Sequence, residues 1–204
     1  WYVAPLYFFF GWGVEGLLCE NILLMSYEHL LNRPKGDFKI DSAILFSFPE
    51  EDLVIIEHDW MTIMEKVRSG RAHELSEGDT MYLAACTKGA TAASVRPQPF
   101  SDVPAKQRAY SLKSSYMTRI LNTYIFGDEQ SERIIKDPAV LQKGTFEDYL
   151  KQKLSPYFGM TQTELKIRFA VESAAKNLNE VLLSKMLGIQ GKLAYTEEFQ
   201  KAGI

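Results

Sequence analysis

Cysteine is nearly missing from this chain: Cys19 and Cys86 are the only two in 204 residues. Two thiols build neither a disulfide framework nor a Cys/His metal cluster, and they are expected as free thiols in a reducing, cytoplasmic setting. A Gly-rich phosphate loop is lacking, and so are an internal repeat, a low-complexity segment and any Ser/His/Asp spacing that stands out. Net positive charge is lacking too. Lys and Arg number 23 against 26 Asp and Glu, a balance of -3, so any anion-binding face is local. No apolar run reaches the ~20 residues of a membrane span. The opening WYVAPLYFFFGWGVEGLLCE is broken by Pro5, Gly11, Gly13 and Gly16, meets Glu15, and has no basic flank of the kind a signal peptide carries. No membrane partner is expected. Residues 1–21 form an atypical segment that starts at Trp1 rather than Met, and the chain is expected to be a fragment of something longer.

What is present is ordinary globular material, 46% hydrophobic, 12% aromatic and 24% charged, enough for one sizeable core and one domain, or one domain with an appendage. Residues 21–31 (NILLMSYEHLL) read as a buried strand running into a loop, and residues 42–48 (SAILFSF) as a second strand. The turn chemistry of NRPKGD between them predicts a hairpin. A helix follows. Pro49 suits its first turn, Glu50, Glu51 and Asp52 sit at its positive end, and Leu53, Ile56, Trp60, Ile63, Met64 and Val67 form one apolar stripe that closes at Arg68 and Gly70. Residues 80–86 (TMYLAAC) and 107–112 (QRAYSL) read as strands, and Ser114 as the cap of a helix carrying Met117, Ile120, Leu121 and Tyr124. From about residue 143 the pattern is all-helical, with Thr145 as a cap, a capping box from Thr161 to Glu164, and a last helix closing at Gly188. The expected organisation is therefore 1–21 atypical, 22–127 an α/β part, 128–188 a helical appendage, and 189–204 a linker leading out, with the boundary near 127–144.

Several motifs brush against known chemistry. AHELSE (residues 72–77) resembles the start of a zinc-protease signature, which needs a second histidine one turn later to reach the same ion; position 77 is Glu. His58 and Asp59 lie on the acidic helix without a nucleophile near them in sequence, and His29 stands alone in a loop, so all three read as structural. Glu164-Leu165-Lys166 has the Glu-x-Lys spacing of metal-dependent nucleases, in which carboxylates hold Mg²⁺ and the lysine acts on water. Here Glu164 opens a helix inside a capping box and no Asp lies on a preceding strand close upstream, so the triplet is read as a decoy.

One stretch does not fit a solvated loop of mixed sign. Residues 88–117, KGATAASVRPQPFSDVPAKQRAYSLKSSYM, carry Asp102 as their one acid, and Arg119 follows. Lys88, Arg96, Lys106, Arg108, Lys113 and Arg119 supply charge; Thr87, Thr91, Ser94, Ser111, Ser114 and Ser115 supply hydroxyls; Gly89, Ala90, Ala92 and Ala93 leave the backbone bare for close approach. Cations neutralise phosphates, while hydroxyls and backbone N–H groups fix register, and Lys, Ser or Thr on a loop reaches base edges. A surface loop that merely attracts anions has the same composition, so composition alone leaves both readings open.

The blocks HELSEG, TKGA and AKQRAYSLKSSYMT, set within residues 72–121, closely resemble the MutH family of GATC-specific endonucleases, and within it the type II restriction enzymes of the Sau type rather than the mismatch-repair nickase. The resemblance runs from about Ile22 to Ile204. It implies a restriction-endonuclease-like α/β fold with a central mixed sheet flanked by helices, Mg²⁺-dependent hydrolysis of phosphodiester bonds, and double-stranded DNA containing GATC as partner. It also implies roles by position. Lys88, with Gly89 and Thr91, matches the family's recognition loop; Arg108, Tyr110, Ser111 and Lys113 match its second DNA-facing strand, with the acidic helix packed behind. Arg96, Lys106 and Arg119 are expected at phosphates. One departure stands out. The family's catalytic Asp…Glu-x-Lys motif precedes the region that matches Ile22, and LCEN (residues 18–21) replaces a family lysine, so no catalytic residue and no Mg²⁺ ligand is assigned. The chain is thus expected as the DNA-recognition part of an endonuclease, inactive alone, or as a non-cleaving DNA-binding or effector module. EEFQKAGI is expected to lead into a second, DNA-sensing domain.

Overall fold

The computed structural model describes residues 22–27, 32–89, 91, 93–129, 131–172 and 176–203. The atypical opening and His29 lie outside the described residues. Strand β1 (Ile22–Tyr27) pairs antiparallel with β2 (Ile40–Phe46), the hairpin expected from the two apolar runs, with Leu24 opposite Ile44 and a register shift at Ser26/Tyr27. Leu24 and Phe46 are buried, while Leu23 and Leu45, opposite each other on the other face, are exposed. This is the alternation that a sheet with one packed face requires.

Helix α1 (Glu50–Arg68) starts after Pro49 and carries Glu50, Glu51 and Asp52 in its first turn and Lys66 and Arg68 in its last. These charges complement its dipole. The buried face is Asp52, Ile55, Ile56, Asp59 and Ile63, a regular i, i+3, i+4, i+7 series. The expected stripe is therefore rotated. Ile56 and Ile63 hold, Leu53, Trp60, Met64 and Val67 are half-buried, and two aspartates enter the core face because each meets dedicated partners there. Two 3-10 turns follow, Ala72–Glu74 and Glu77–Asp79, the second closed by reciprocal hydrogen bonds of Ser76 and Asp79. The Ser76/Asp79 cap satisfies the backbone of this stretch locally.

Strand β3 (Leu83–Thr87) pairs antiparallel with β6 (Arg108–Leu112), and between them β4 (Val95–Gln98) and β5 (Ser101–Lys106) form a separate antiparallel ribbon. Among the described residues the ladders are three two-stranded antiparallel pairs, not the single mixed sheet expected. β3 starts later than its sequence suggests because the N–H groups of Met81, Tyr82 and Leu83 go to the Asp59 carboxylate, at 2.8, 2.6 and 2.9 Å. Helix α2 (Ser114–Tyr124) buries Tyr116, Arg119, Ile120 and Leu121, and its cap position is Lys113 rather than Ser114.

The C-terminal part is helical, as expected: α3 (Phe146–Leu154) and α4 (Gln162–Arg168) each open with a capping box, Thr145/Asp148 and Thr161/Glu164, and α5 (Leu178–Leu187) ends at Gly188. It is not a separate body. Ile134, Ile135, Leu141, Phe146, Tyr149 and Leu187 belong to the same buried cluster as Ile55, Tyr82 and Tyr116. Residues 189–203, expected as a linker, are also packed: Ile189 and Leu193 are buried, and α6 (Glu197–Ala202) buries Glu197, Glu198, Lys201 and Ala202.

Candidate nucleic-acid interface

The β3–β6 ladder sorts the side chains of the RAYSL strand. Residues directly opposite share a face, so Leu83/Leu112, Ala85/Tyr110 and Thr87/Arg108 lie on one side, and Ala84/Ser111 and Cys86/Ala109 on the other. The first side packs onto the core, which includes Leu83 and Ala85 with Tyr110 and Leu112 against them. The second presents the Ser111 hydroxyl, half-buried and donating to the Leu112 carbonyl at 3.1 Å, beside the half-buried Cys86.

Past Thr87 the two strands part and the ribbon begins. Lys88 N donates to Gln107 O at 2.7 Å and Gln107 N to Ser94 O at 3.4 Å, which close the base of the ribbon against the ladder. The loop above is drawn tight by Ser94, whose N–H meets Thr91 O at 3.1 Å and whose hydroxyl accepts from Thr91 N at 3.4 Å. Gly89 is required there twice over. Its φ is +129°, and a Cβ would stand 2.5 Å from the Ser94 Cβ. In the ribbon, Arg96 is opposite Ala105 and Val95 opposite Lys106, so Arg96 and Lys106 point from opposite faces.

The six cations of the basic stretch divide evenly. Lys88, Arg96 and Lys106 are exposed, as is Thr91, and among the described residues their charged groups have no carboxylate partner. The other three are taken up by the fold. Arg108 donates from Nη1 to Ala85 O at 2.7 Å and from Nη2 to Leu75 O, locking the turn before β3 onto the ladder. Lys113 donates to Thr80 O at 2.6 Å; burial pulls its ammonium below the usual lysine range, while Asp59 and Glu77 oppose that. Arg119, expected at a phosphate, is 7% exposed: its Nη2 lies 2.7 Å from Glu197 and 2.7 Å from Glu129 O, and 3.0 Å from the Ser131 hydroxyl. An arginine on the helix face that meets α6 cannot also reach solvent phosphate. Tyr110 is likewise turned inward, its hydroxyl 3.0 Å from the Met64 sulfur and hydrogen-bonded to Trp60.

Behind this surface lie carboxylates that composition marks only as acidic. Asp59 is 2% exposed and accepts the three N–H groups at the start of β3. Burial pushes its carboxyl up to about 6, outweighing the N–H donors and the nearby Lys113 charge. Asp52, fully buried, accepts from Tyr116 at 3.0 Å and from Lys201 at 2.6 Å, with Arg133 3.6 Å away. Burial, with Asp52 beside them, drives the Tyr82 and Tyr116 hydroxyls far up. Glu197 would be raised by its burial, but Arg119, the Ser131 N–H and Lys201 hold it below the usual range. Glu198 accepts from Ile134 N and Ile135 N at 2.9 and 2.8 Å. The one signal for these groups in the sequence is their helical spacing with apolar neighbours. Glu164 accepts from Thr161 N and Oγ1, both at 2.7 Å, so its capping role holds. No three His, Cys, Asp or Glu side chains converge to hold a metal ion among the described residues, and the buried carboxylates are already partnered by N–H groups and cations. Mg²⁺ does not fit them. No helix among the described residues is long and apolar enough to cross a membrane.

Comparison with known proteins bears on what this surface serves. No family model matches the chain. It is 41% identical over 193 residues to the type II restriction enzyme Sau3AI of Staphylococcus aureus, a match covering 91% of this chain and 40% of that enzyme. It is 27% identical over 140 residues to the DNA mismatch repair protein MutH of Shewanella baltica strain OS155, covering 61% of this chain and 59% of MutH, and 26% identical over 137 residues to MutH of strain OS195. The chain thus spans about two fifths of the restriction enzyme's length and three fifths of MutH. Nine tenths of this chain align with one restriction enzyme and six tenths with MutH, so over most of its length the chain is similar to the MutH-like restriction endonucleases.

Proposed function

We propose that this chain is the DNA-reading part of a type II restriction endonuclease that cleaves at GATC, built on a restriction-endonuclease-like fold. One observation carries the reading: Lys88, Arg96 and Lys106 stand exposed on one loop and its ribbon, without carboxylate partners among the described residues, in a chain whose net charge is -3. A two-stranded ribbon fits a major groove. Arg96 and Lys106, on its opposite faces, suit the two phosphate walls, while Lys88, Thr91 and Ser111 near its base suit base edges. Gly89 lets the loop backbone approach closely. Arg108, Tyr110, Lys113 and Arg119 hold the surface in shape from behind rather than touching the duplex through their polar ends.

Recognition is assigned to residues 22–127, and the breaking of the phosphodiester bond to none of the described groups. What the described residues supply is position, by fixing which four base pairs lie against the ribbon. The test is a fluorescence titration of the chain against a GATC duplex and a scrambled duplex of equal length. Tighter binding to GATC, with both affinities falling as salt rises, supports the proposal. Equal affinity for the two duplexes rejects sequence reading, and no salt-dependent binding to either rejects the nucleic-acid interface.

A further inference from the structure

The ribbon is a weak ladder. β4 and β5 contain Pro97 and Pro104, each without an N–H to donate, and the register slips between Arg96 and Gln98. Apart from Ala105 and the half-buried Gln98 and Ser101, its side chains are exposed, so packing does little to hold it. Something else must fix the position of Arg96 and Lys106.

At the far end of the ribbon one side chain makes three ties. Gln98 Oε1 accepts from Ala72 N at 2.9 Å, while Gln98 Nε2 donates to Val103 O at 2.5 Å and lies 3.1 Å from His73 Nδ1. Two of these ties cross from the ribbon to the 3-10 turn Ala72–Glu74, which follows directly on the end of α1. The turn comes close enough for Gly70, at φ +73°, to be obligatory: a Cβ there would stand 2.4 Å from Phe100 O. The arrangement also assigns the histidine. With Gln98 oriented by an acceptor and a donor on either side, His73 Nδ1 must accept, so its proton sits on Nε2, which lies 3.7 Å from Glu74. The charged groups around the imidazole are Glu74 on its own turn and Arg71, 3.8 Å from Glu74 and 3.9 Å from Glu65 of α1; the ribbon presents the neutral Gln98.

We propose that Gln98 is the positioning residue of this interface: its amide clamps the ribbon to the end of α1 and so sets where Arg96 and Lys106 meet phosphate. This rests on the DNA-binding reading above but is testable apart from it. Hydrogen exchange reads the clamp without DNA. In Gln98→Ala the amides of residues 95–106 should exchange at least tenfold faster, while those of β3 and α1 stay unchanged. Binding reads its consequence. Gln98→Ala should weaken both GATC and scrambled duplexes about tenfold and flatten the salt dependence by up to about two phosphates' worth, with the urea midpoint unchanged.

His73→Ala gives the signature that a merely structural role lacks. It removes one of the three ties and leaves those to Ala72 N and Val103 O. Exchange of residues 95–106 and the loss of DNA affinity should therefore rise together, His73→Ala falling between wild type and Gln98→Ala in both. Unchanged exchange in residues 95–106 of Gln98→Ala overturns the clamp. Faster exchange with unaltered affinity and salt slope shows a clamp that does not serve the interface, and overturns the positioning role. No binding by the wild type to any duplex overturns the DNA reading itself while leaving the exchange result to judge the clamp.

Discussion

Lys201→Met should unfold this protein far more readily than its place near the end of the sequence suggests. Lys201 sits on α6, with its side chain 5% exposed, and its ammonium lies 2.6 Å from Asp52 and 3.4 Å from Glu197. It also stands 5.7 and 5.6 Å from the ring centres of Tyr82 and Tyr116. Methionine keeps most of the stem and its packing but removes the charge. Asp52, with no exposed side-chain surface, then retains one hydrogen bond from Tyr116 and a more distant Arg133. Removing one partner of a buried ion pair costs about 3–5 kcal/mol, because the remaining charge stays desolvated. Arg133 can swing closer, which favours the lower half of that range. With a urea m value on the order of 2 kcal/mol/M, the midpoint should fall by roughly 1.5–2 M. Adding Asp52→Asn keeps an acceptor for Tyr116 and removes the stranded charge, so the double variant should be more stable than Lys201→Met alone. The assay is urea unfolding followed by circular dichroism. A midpoint shift under about 0.5 M, or a double variant weaker than the single by the full cost of Asp52→Asn, would refute the claim that α6 is locked to α1 by charge.

Lys88→Ala should cost about 1–3 kcal/mol on a GATC duplex and little on a scrambled one, the worth of a direct base contact; equal losses in the titration would demote it to a phosphate contact. Lys106→Ala should weaken both duplexes alike and reduce the salt slope by about one phosphate. Arg119→Ala should leave that slope unchanged and instead lower the urea midpoint, since its partner Glu197 is buried. For Asp59, burial raises the folded carboxyl to about 6 from an ordinary value of 3.8. The native state therefore holds its proton more tightly than the unfolded chain, and the resulting stabilisation, on the order of 3 kcal/mol, is present below pH 4 and lost as the pH rises through 6. Measured against the non-titrating Asp59→Asn, wild-type stability should fall across that window; a constant difference between the two would contradict the burial argument.

Much of the local structure was set by the sequence alone, because it depends on neighbours in the chain. The hairpin of β1 and β2, the limits of α1, and the capping boxes at Thr145 and Thr161 follow from period and from side chains within four residues. So does the capping role of Glu164. The basic stretch was visible as composition, and its resemblance to MutH-like enzymes named the family. Tertiary structure decided which of its cations are free. Arg108 and Arg119 carry the same charge as Arg96, yet carbonyls 23 and 33 residues away claim the first, and a glutamate 78 residues away the second. Pairing across such separations has no local signature. The same holds for Asp52 and Asp59, which a surface-charge pattern places in solvent and which the fold buries because Lys201 and the N–H groups of residues 81–83 are delivered to them from elsewhere in the chain. A desolvated carboxylate persists only where partners converge in three dimensions, and that convergence belongs to the packing rather than to any one segment.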